Sequence, residues 1–294
     1  MSHSFALVVN PAAGGGRALR ALPEVQATLD GLGASHRTVT TRGVEHAEEE
    51  ARLAADRGET VVAIGGDGLL RPLAAALRGR ATALALIPCG RGNDFARVIG
   101  VPRDPAEAAR IAAHGREWLV DVAYVDDAPY MGIASLGFDS DANRIANEAK
   151  LVKGDAVYAY AALRALASWR PARFTVTVDG ERHEIQGYSV AVGNSPAYGG
   201  GMFLLPHAEL DDGELDVLLS AQHSKLRFLR TLPKVFKGTH LDSPYARVLR
   251  GRVVEVSSDR PFVIYADGDP IGATPATMRV ERRCLRVIVP GAGG

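Results

Sequence analysis

Thr60-Val61-Val62-Ala63-Ile64 is a β-branched, apolar run that stops at Gly65-Gly66-Asp67-Gly68 and passes at once into a helical pattern from Leu69 to Arg78. A short run without polar interruption reads as a strand buried on both faces, and the pattern after it reads as the helix that covers it. Pro72 has no N–H to give and is best tolerated in a first turn, so this helix is expected to start near Leu69. The same order of strand, glycine loop and helix occurs twice more. Phe5 to Val9 leads through Asn10-Pro11-Ala12-Ala13-Gly14-Gly15-Gly16 into a helix from Arg17 to Leu32. Ala83 to Ile87 leads into Pro88-Cys89-Gly90-Arg91-Gly92-Asn93-Asp94. A strand over Thr38 to Thr40 and a helix over Val44 to Arg57 lie between, and Asp104-Pro105 caps a helix that runs to about His114. Such alternation builds a parallel sheet with helices on both faces, where ligands bind at the carboxyl ends of the strands. All three glycine loops fall there.

From about Asp121 the texture changes. Arg173 to Val178 alternates, Asp179-Gly180 is a tight-turn dipeptide, and Ile185 to Val192 returns as a strand. Short strands follow at Leu215 to Leu219, Val253 to Val256, Pro261 to Tyr265, Met278 to Val280 and Leu285 to Val289, with a helix inserted near Ala156 to Trp169. This half reads as an antiparallel sandwich packed against the first. The chain has 294 residues, 34 Lys+Arg against 34 Asp+Glu and 47% hydrophobic residues, the profile of a globular protein without the basic excess of a nucleic-acid binder. Cys89 and Cys284 are its only cysteines, which excludes a disulfide scaffold and points to a reducing compartment. No apolar run reaches the ~18 residues of a membrane span, and Met1 to Phe5 carries no leader pattern. A cytoplasmic protein is expected.

The chemistry lies in the three loops. Glycines let backbone N–H groups approach an anion, and a helix N-terminus favours negative charge. Alone, each loop is equally well a flexible turn; three converging on one sheet edge point to a phosphate site. Asp67 suits a metal or a proton, or serves as a helix cap. Asp267-Gly268-Asp269-Pro270 and Asp211-Asp212-Gly213 read by themselves as turns.

In order along the chain, Asn10-Pro11-x-x-Gly14, Gly65-Gly66-Asp67-Gly68, the run Pro88 to Arg97, Ala134 to Phe138, Gly199 to Met202, Asp211 to Asp216, Gly238-Thr239-His240 and Asp267-Gly268-Asp269 resemble the soluble lipid kinase family of bacterial diacylglycerol kinases, related to sphingosine and ceramide kinases. The resemblance implies an α/β plus β chain: an N-terminal parallel-sheet nucleotide-binding domain of the NAD-kinase/phosphofructokinase type over residues 1–122, and a C-terminal β-sandwich domain over 123–294 whose last strand is a candidate to return to the first. It implies ATP with Mg2+ as cofactors and a lipid hydroxyl as acceptor. By the same resemblance Asn10, Pro11, Gly14, Gly15, Gly16, Thr41, Gly65, Gly66, Asp67, Gly68, Leu69, Arg71, Gly90, Arg91, Gly92, Asn93 and Asp94 face the nucleotide. Asp269 is the proton acceptor, with Asp67 and Asp267 beside it. Asp212, with the carbonyls of Glu209 and Glu214, corresponds to a structural magnesium site, and an oxygen-only set suits a hard cation.

The chain departs from the family pattern at Leu69, Arg71 and Pro72, where an Asn-Glu pair is usual, at Arg91 in place of Thr, and at Asp269 in place of Glu. Arg71 and Arg91 are placed either to give positive charge to phosphates or to fill the nucleotide pocket. Lys225 to His240 carries Lys225, Arg227, Arg230, Lys234 and Lys237 without an acid, interleaved with Leu226, Phe228, Leu229, Leu232, Val235 and Phe236. Such a stretch suits transient contact with an anionic membrane, and equally a surface helix packed by its apolar face. The histidines lack zinc spacing, and Ser135 has no Gly-x-Ser-x-Gly context. The expectation is an ATP-dependent lipid kinase acting on diacylglycerol or a related lipid. A binding relative without turnover and an NAD kinase-like enzyme are the alternatives, and a homodimer is left open.

Overall fold

The computed structural model describes residues 4–148 and 156–291. Its first part is β1 (Ser4–Val9), α1 (Arg17–Gly31), β2 (Ser35–Thr40), α2 (Val44–Asp56), β3 (Thr60–Gly65), α3 (Asp67–Leu77), β4 (Ala83–Pro88), α4 (Asp94–Val98) and α5 (Pro105–His114). The strands pair in parallel in the order β4-β3-β1-β2. Phe5 to Val9 and Val61, Val62 and Ile64 are wholly buried, as strands covered on both faces must be. α3 starts at Asp67, two residues before the position expected from Pro72, which therefore lies inside the helix. α5 is capped as the sequence predicts: the Asp104 carboxylate accepts the Glu107 N–H at 2.8 Å, with Pro105 in the first turn.

The second part continues the same sheet with β5 (Arg116–Val125), β6 (Ala128–Tyr130), β7 (Ile133–Gly137), α6 (Phe138–Glu148), α7 (Ala156–Ser168), β8 (Ala172–Val178), β9 (Glu181–Gly193), β10 (Leu215–Ala221), α8 (Lys225–Val235), β11 (Ala246–Gly251), β12 (Val253–Ser258), β13 (Val263–Ala266), β14 (Asp269–Ala273) and β15 (Ala276–Val289). Apart from the β15–β4 pair, neighbours in this part are antiparallel, and the strands form the sandwich half of a mixed sheet. β15 crosses the whole molecule. Its first half pairs with β12, and Arg286 and Val287 lie in parallel register with Ala83 and Leu84 of β4. β5 runs alongside it from Met278↔Val125 to Val289↔Arg116. The boundary expected at 122/123 falls inside β5, whose Val120, Val122 and Tyr124 pack into the first core while Ala123 and Val125 pack into the second. Alternate side chains of one strand thus serve both cores.

Candidate active site

The loops after β1, β3 and β4 are fastened to one another by their own side chains. From the first turn of α1, Arg17 donates to the Gly90 carbonyl at 2.7 Å and to the Gly14 carbonyl at 3.2 Å, joining the first loop to the third. Gly66 and Gly90 are in backbone contact, so a Cβ on Gly66 would stand 2.8 Å from the Gly90 Cα. Asn93, buried and left-handed at φ 56°, accepts the Gly90 N–H at 2.7 Å and donates to the Gly90 carbonyl at 3.0 Å. Its amide is thus committed to shaping the loop. Asn10 accepts the Ala12 N–H at 3.1 Å, and buried Thr41 donates to the Val9 carbonyl at 3.1 Å, so both brace the first loop as well.

Three carboxylates face each other across the cleft between the two parts. Asp67 accepts the N–H groups of Asp94 (3.2 Å) and Phe95 (3.3 Å), capping α4 from a neighbouring loop. Burial pushes its pKa up, and the charge of Asp94 adds to the shift. Asp94 accepts from Arg97 at 2.7 Å and from the Gly200 N–H at 2.8 Å, which ties the third loop to the Gly199 to Gly201 turn of the second part. Asp267 sits left-handed in the β13–β14 turn and accepts the N–H groups of Met131 (2.8 Å) and Gly132 (2.9 Å). Burial and then the charge of Asp67 raise its pKa to about 7, against the opposing backbone bonds and Arg71. Asp269, at the start of β14, is exposed, with Oδ2 3.6 Å from where a Cβ on Gly68 would be.

Adjacent residues in the first turn of α3 line two cavities. Gly68 belongs to the first, about 330 Å³, walled also by Asn10, Pro11, Thr41, Leu69 and Pro72. Asp67 belongs to the second, about 130 Å³, with Asp94, Met131, Asn143, Tyr198 and Asp267. Gly14, Gly15 and Gly16, all left-handed, form the loop ahead of α1, and Gly65, Gly90 and Gly92 complete the floor between the loops. Arg71 is half-buried and Arg91 exposed, and neither lines either cavity. Sequence reading missed Asn143 and Tyr198 on the cleft wall, and with them Asp139 at the start of α6, whose pKa burial raises to about 6 against a bond from Ser189. The four-residue spacing of Asp139 and Asn143, which puts them on one helix face, and the tyrosine before three glycines were the available signals.

Among the described residues no group of three or more His, Cys, Asp or Glu side chains is arranged to hold a metal by itself. At the cleft Asp67, whose oxygens accept only the backbone N–H groups of Asp94 and Phe95, would fit a magnesium ion that brings phosphate oxygens and water with it, the usual way that ion is held. The positions of the implied structural ion fit poorly. The Asp212 carboxylate, the one side-chain ligand of that set, is engaged by the Arg250 guanidinium and by the Glu214 N–H at 2.9 Å.

Residues 4–125 match the diacylglycerol kinase catalytic domain, and residues 132–289 match the YegS C-terminal NAD kinase beta sandwich-like domain. The chain is 31% identical to a diacylglycerol kinase of Mycobacterium tuberculosis, covering 97% of this chain and 95% of the relative. A diacylglycerol kinase of Bacillus subtilis is 26% identical over the same shares. A YegS-like protein of Pseudomonas aeruginosa is 33% identical, covering 79% of this chain and 76% of its own. A crystal structure of a diacylglycerol kinase from Bacillus anthracis superposes with a TM-score of 0.76 at 20% identity, covering 99% of this chain and 98% of that one, which supports the fold alone. The glycine loops, the two-part mixed sheet and these matches along nearly the whole chain agree: the protein belongs to the diacylglycerol kinase and YegS-like lipid kinase family.

Proposed function

We propose that the protein transfers the γ-phosphate of ATP to a hydroxyl of diacylglycerol or a related lipid. The observation that carries this reading is the Asp67-Gly68 step, whose two residues line separate cavities with the Asp269 carboxylate against Gly68. The larger cavity takes the nucleotide beside Asn10, Pro11 and Thr41, and the smaller takes the acceptor head beside Asn143 and Tyr198. The lipid O–H gives its proton to Asp269 as its oxygen attacks the γ-phosphorus. The bond from phosphorus to the β–γ bridging oxygen breaks in line, and ADP leaves. Asp67 would hold a magnesium ion brought in with ATP, and that ion would offset the phosphate charge. Asp67 and Asn93 hold the third loop in shape, so backbone N–H groups are fixed before the charge develops. Arg71 and Arg91, outside both cavities, leave room for the nucleotide and add positive potential at its edge.

The acceptor lies in a membrane, and α8 is the face that meets it. Phe228 and Val235 are buried, Leu229 and Leu232 pack against the second core, and Leu226 and Phe236 project with 60% and 55% exposure. Phe203, which follows the Tyr198 to Met202 turn whose first three residues line the cleft, donates its N–H to the Val235 carbonyl at 3.0 Å, linking the cleft lip to the tip of α8. No described helix is long and apolar enough to cross a membrane, so contact on this surface is peripheral.

The test is transfer of labelled phosphate from Mg-ATP to diacylglycerol, monoacylglycerol, sphingosine, ceramide and phosphatidylglycerol in mixed micelles. Labelled diacylglycerol or a close analogue is expected; ATP binding with no labelled lipid in the panel would favour a binding relative instead.

A further inference from the structure

Between β10 and β11 the Arg250 guanidinium stands among three acids. Asp216 and Arg250 are a direct cross-strand pair, and the Arg250 guanidinium donates to Asp212 Oδ2, lies 3.3 Å from Glu214 Oε2 and holds its Nε 3.6 Å from Asp216 Oδ1. Alternate residues leading into β10 place these carboxylates on one side, where their repulsion needs a cation.

The loop they belong to is a fastening point between the two cores. Wholly buried Asp121 of β5 accepts the Gly213 N–H at 2.7 Å and the Arg283 N–H of the β15 bulge at 2.6 Å. Its own N–H donates to the Leu210 carbonyl at 2.6 Å. Arg283 donates to the Asp211 carbonyl at 3.1 Å, and the Trp118 indole donates to Asp211 Oδ2 at 3.1 Å. Residues 210–216 therefore join β5 and β15 on one side to β10 and β11 on the other.

We infer that Arg250 is the cation of this loop, standing in for the structural magnesium ion that the family resemblance implies at Asp212, so that the seam between the cores closes without metal. One oxygen of Asp212 accepts the Glu214 N–H and the other the guanidinium, so a divalent ion at this carboxylate would have to displace a positive charge already in place. A guanidinium suits the place. Its fixed fork of donors reaches several carboxylates at once, it stays charged at any working pH, and being covalently attached it has no dissociation equilibrium.

The test is thermal unfolding of the full chain without nucleotide, in EDTA and in millimolar magnesium or calcium chloride, for the wild type, Arg250→Ala and Asp212→Asn. The wild-type midpoint is expected to carry no metal-dependent component that Asp212→Asn abolishes. Arg250→Ala is expected to melt several degrees lower in EDTA and to recover part of that loss, saturably, with either cation, because three uncompensated carboxylates then present an oxygen site. A wild-type midpoint that rises with magnesium and loses the rise in Asp212→Asn overturns the inference, as does an Arg250→Ala variant as stable as the wild type. Should Arg250→Ala fail to fold, the wild-type and Asp212→Asn melts decide the matter. No substrate enters this experiment, so its outcome is separate from that of the kinase reading.

Discussion

Asp267 and Asp269 are two residues apart and have opposite environments. Asp267 is held by two backbone N–H groups in the cleft wall, and burial with the charge of Asp67 raises its pKa to about 7. Asp269 is exposed against Gly68. The first is a positioning residue that fixes the turn; the second is free to reach a substrate proton. A carboxyl whose folded pKa lies above its unfolded value of about 3.9 stabilises the fold fully below that value and ceases to do so as pH rises through the folded pKa. Urea unfolding of the wild type and Asp267→Asn across pH should therefore show the wild type losing stability relative to the variant between about pH 4 and pH 7. A constant difference across that window would contradict the assignment. Replacing Asp67 by Asn should move the loss to lower pH, because one of the charges that raises Asp267 is gone.

At the scale of elements, what could be read in the sequence depended on how local the signal was. The strand, glycine loop and helix units were legible because each carries its period and its punctuation within twenty or so residues. β5 was not, since Arg116-Glu117 opens it with charged, exposed residues. Met278 to Val280 and Leu285 to Val289 read as two strands, separated by Glu281-Arg282-Arg283-Cys284. They are one, β15, with a bulge where Arg283 turns left-handed. α6 was missed because its polar content hides a narrow apolar stripe. The glycine loops of the site were legible for the same local reason, whereas Asn143 and Tyr198 reach the cleft from elements distant in the chain and have no pattern of their own. Arg71 and Arg91 could be assigned to neither charge nor blockage until their place outside both cavities was known. For α8 and the residues just after it, reversing two charges with Lys234→Glu and Lys237→Glu is expected to weaken binding to phosphatidylglycerol vesicles by about 30-fold or more, at roughly 1 kcal/mol per basic residue. Flotation at low and high salt measures it. Equal affinity for phosphatidylcholine vesicles would argue that α8 is only a packed surface helix.

At the scale of the whole molecule, β5 and β15 contribute side chains to both cores and are expected to make them one folding unit. Leu285 and Val287 are wholly buried in the first and Met278 in the second, all on one strand. Leu285→Ala should cost about 2–5 kcal/mol and lower a single transition. The only two tryptophans report on both sides, Trp118 on β5 against the first core and Trp169 inside the second. Variants that keep one or the other should unfold at the same denaturant midpoint; separated midpoints would mean that the cores melt independently. A rigid seam matters to the proposed chemistry, since Asp67 comes from one part and Asp267 with Asp269 from the other, and phosphoryl transfer depends on their alignment.

The measurement closest to the central claim is the initial rate of phosphate transfer from Mg-ATP to diacylglycerol in anionic mixed micelles, for the wild type, Asp269→Asn and Asp67→Asn, with ATP binding measured in parallel. The account predicts a labelled lipid from the wild type and a loss of about 10²–10⁴-fold in kcat for Asp269→Asn, the range for removing a general base, with ATP affinity retained. Asp67→Asn should also lose rate, through disorder of the loop it caps. Transfer that survives Asp269→Asn undiminished would contradict the account, placing the proton acceptor elsewhere in the cleft.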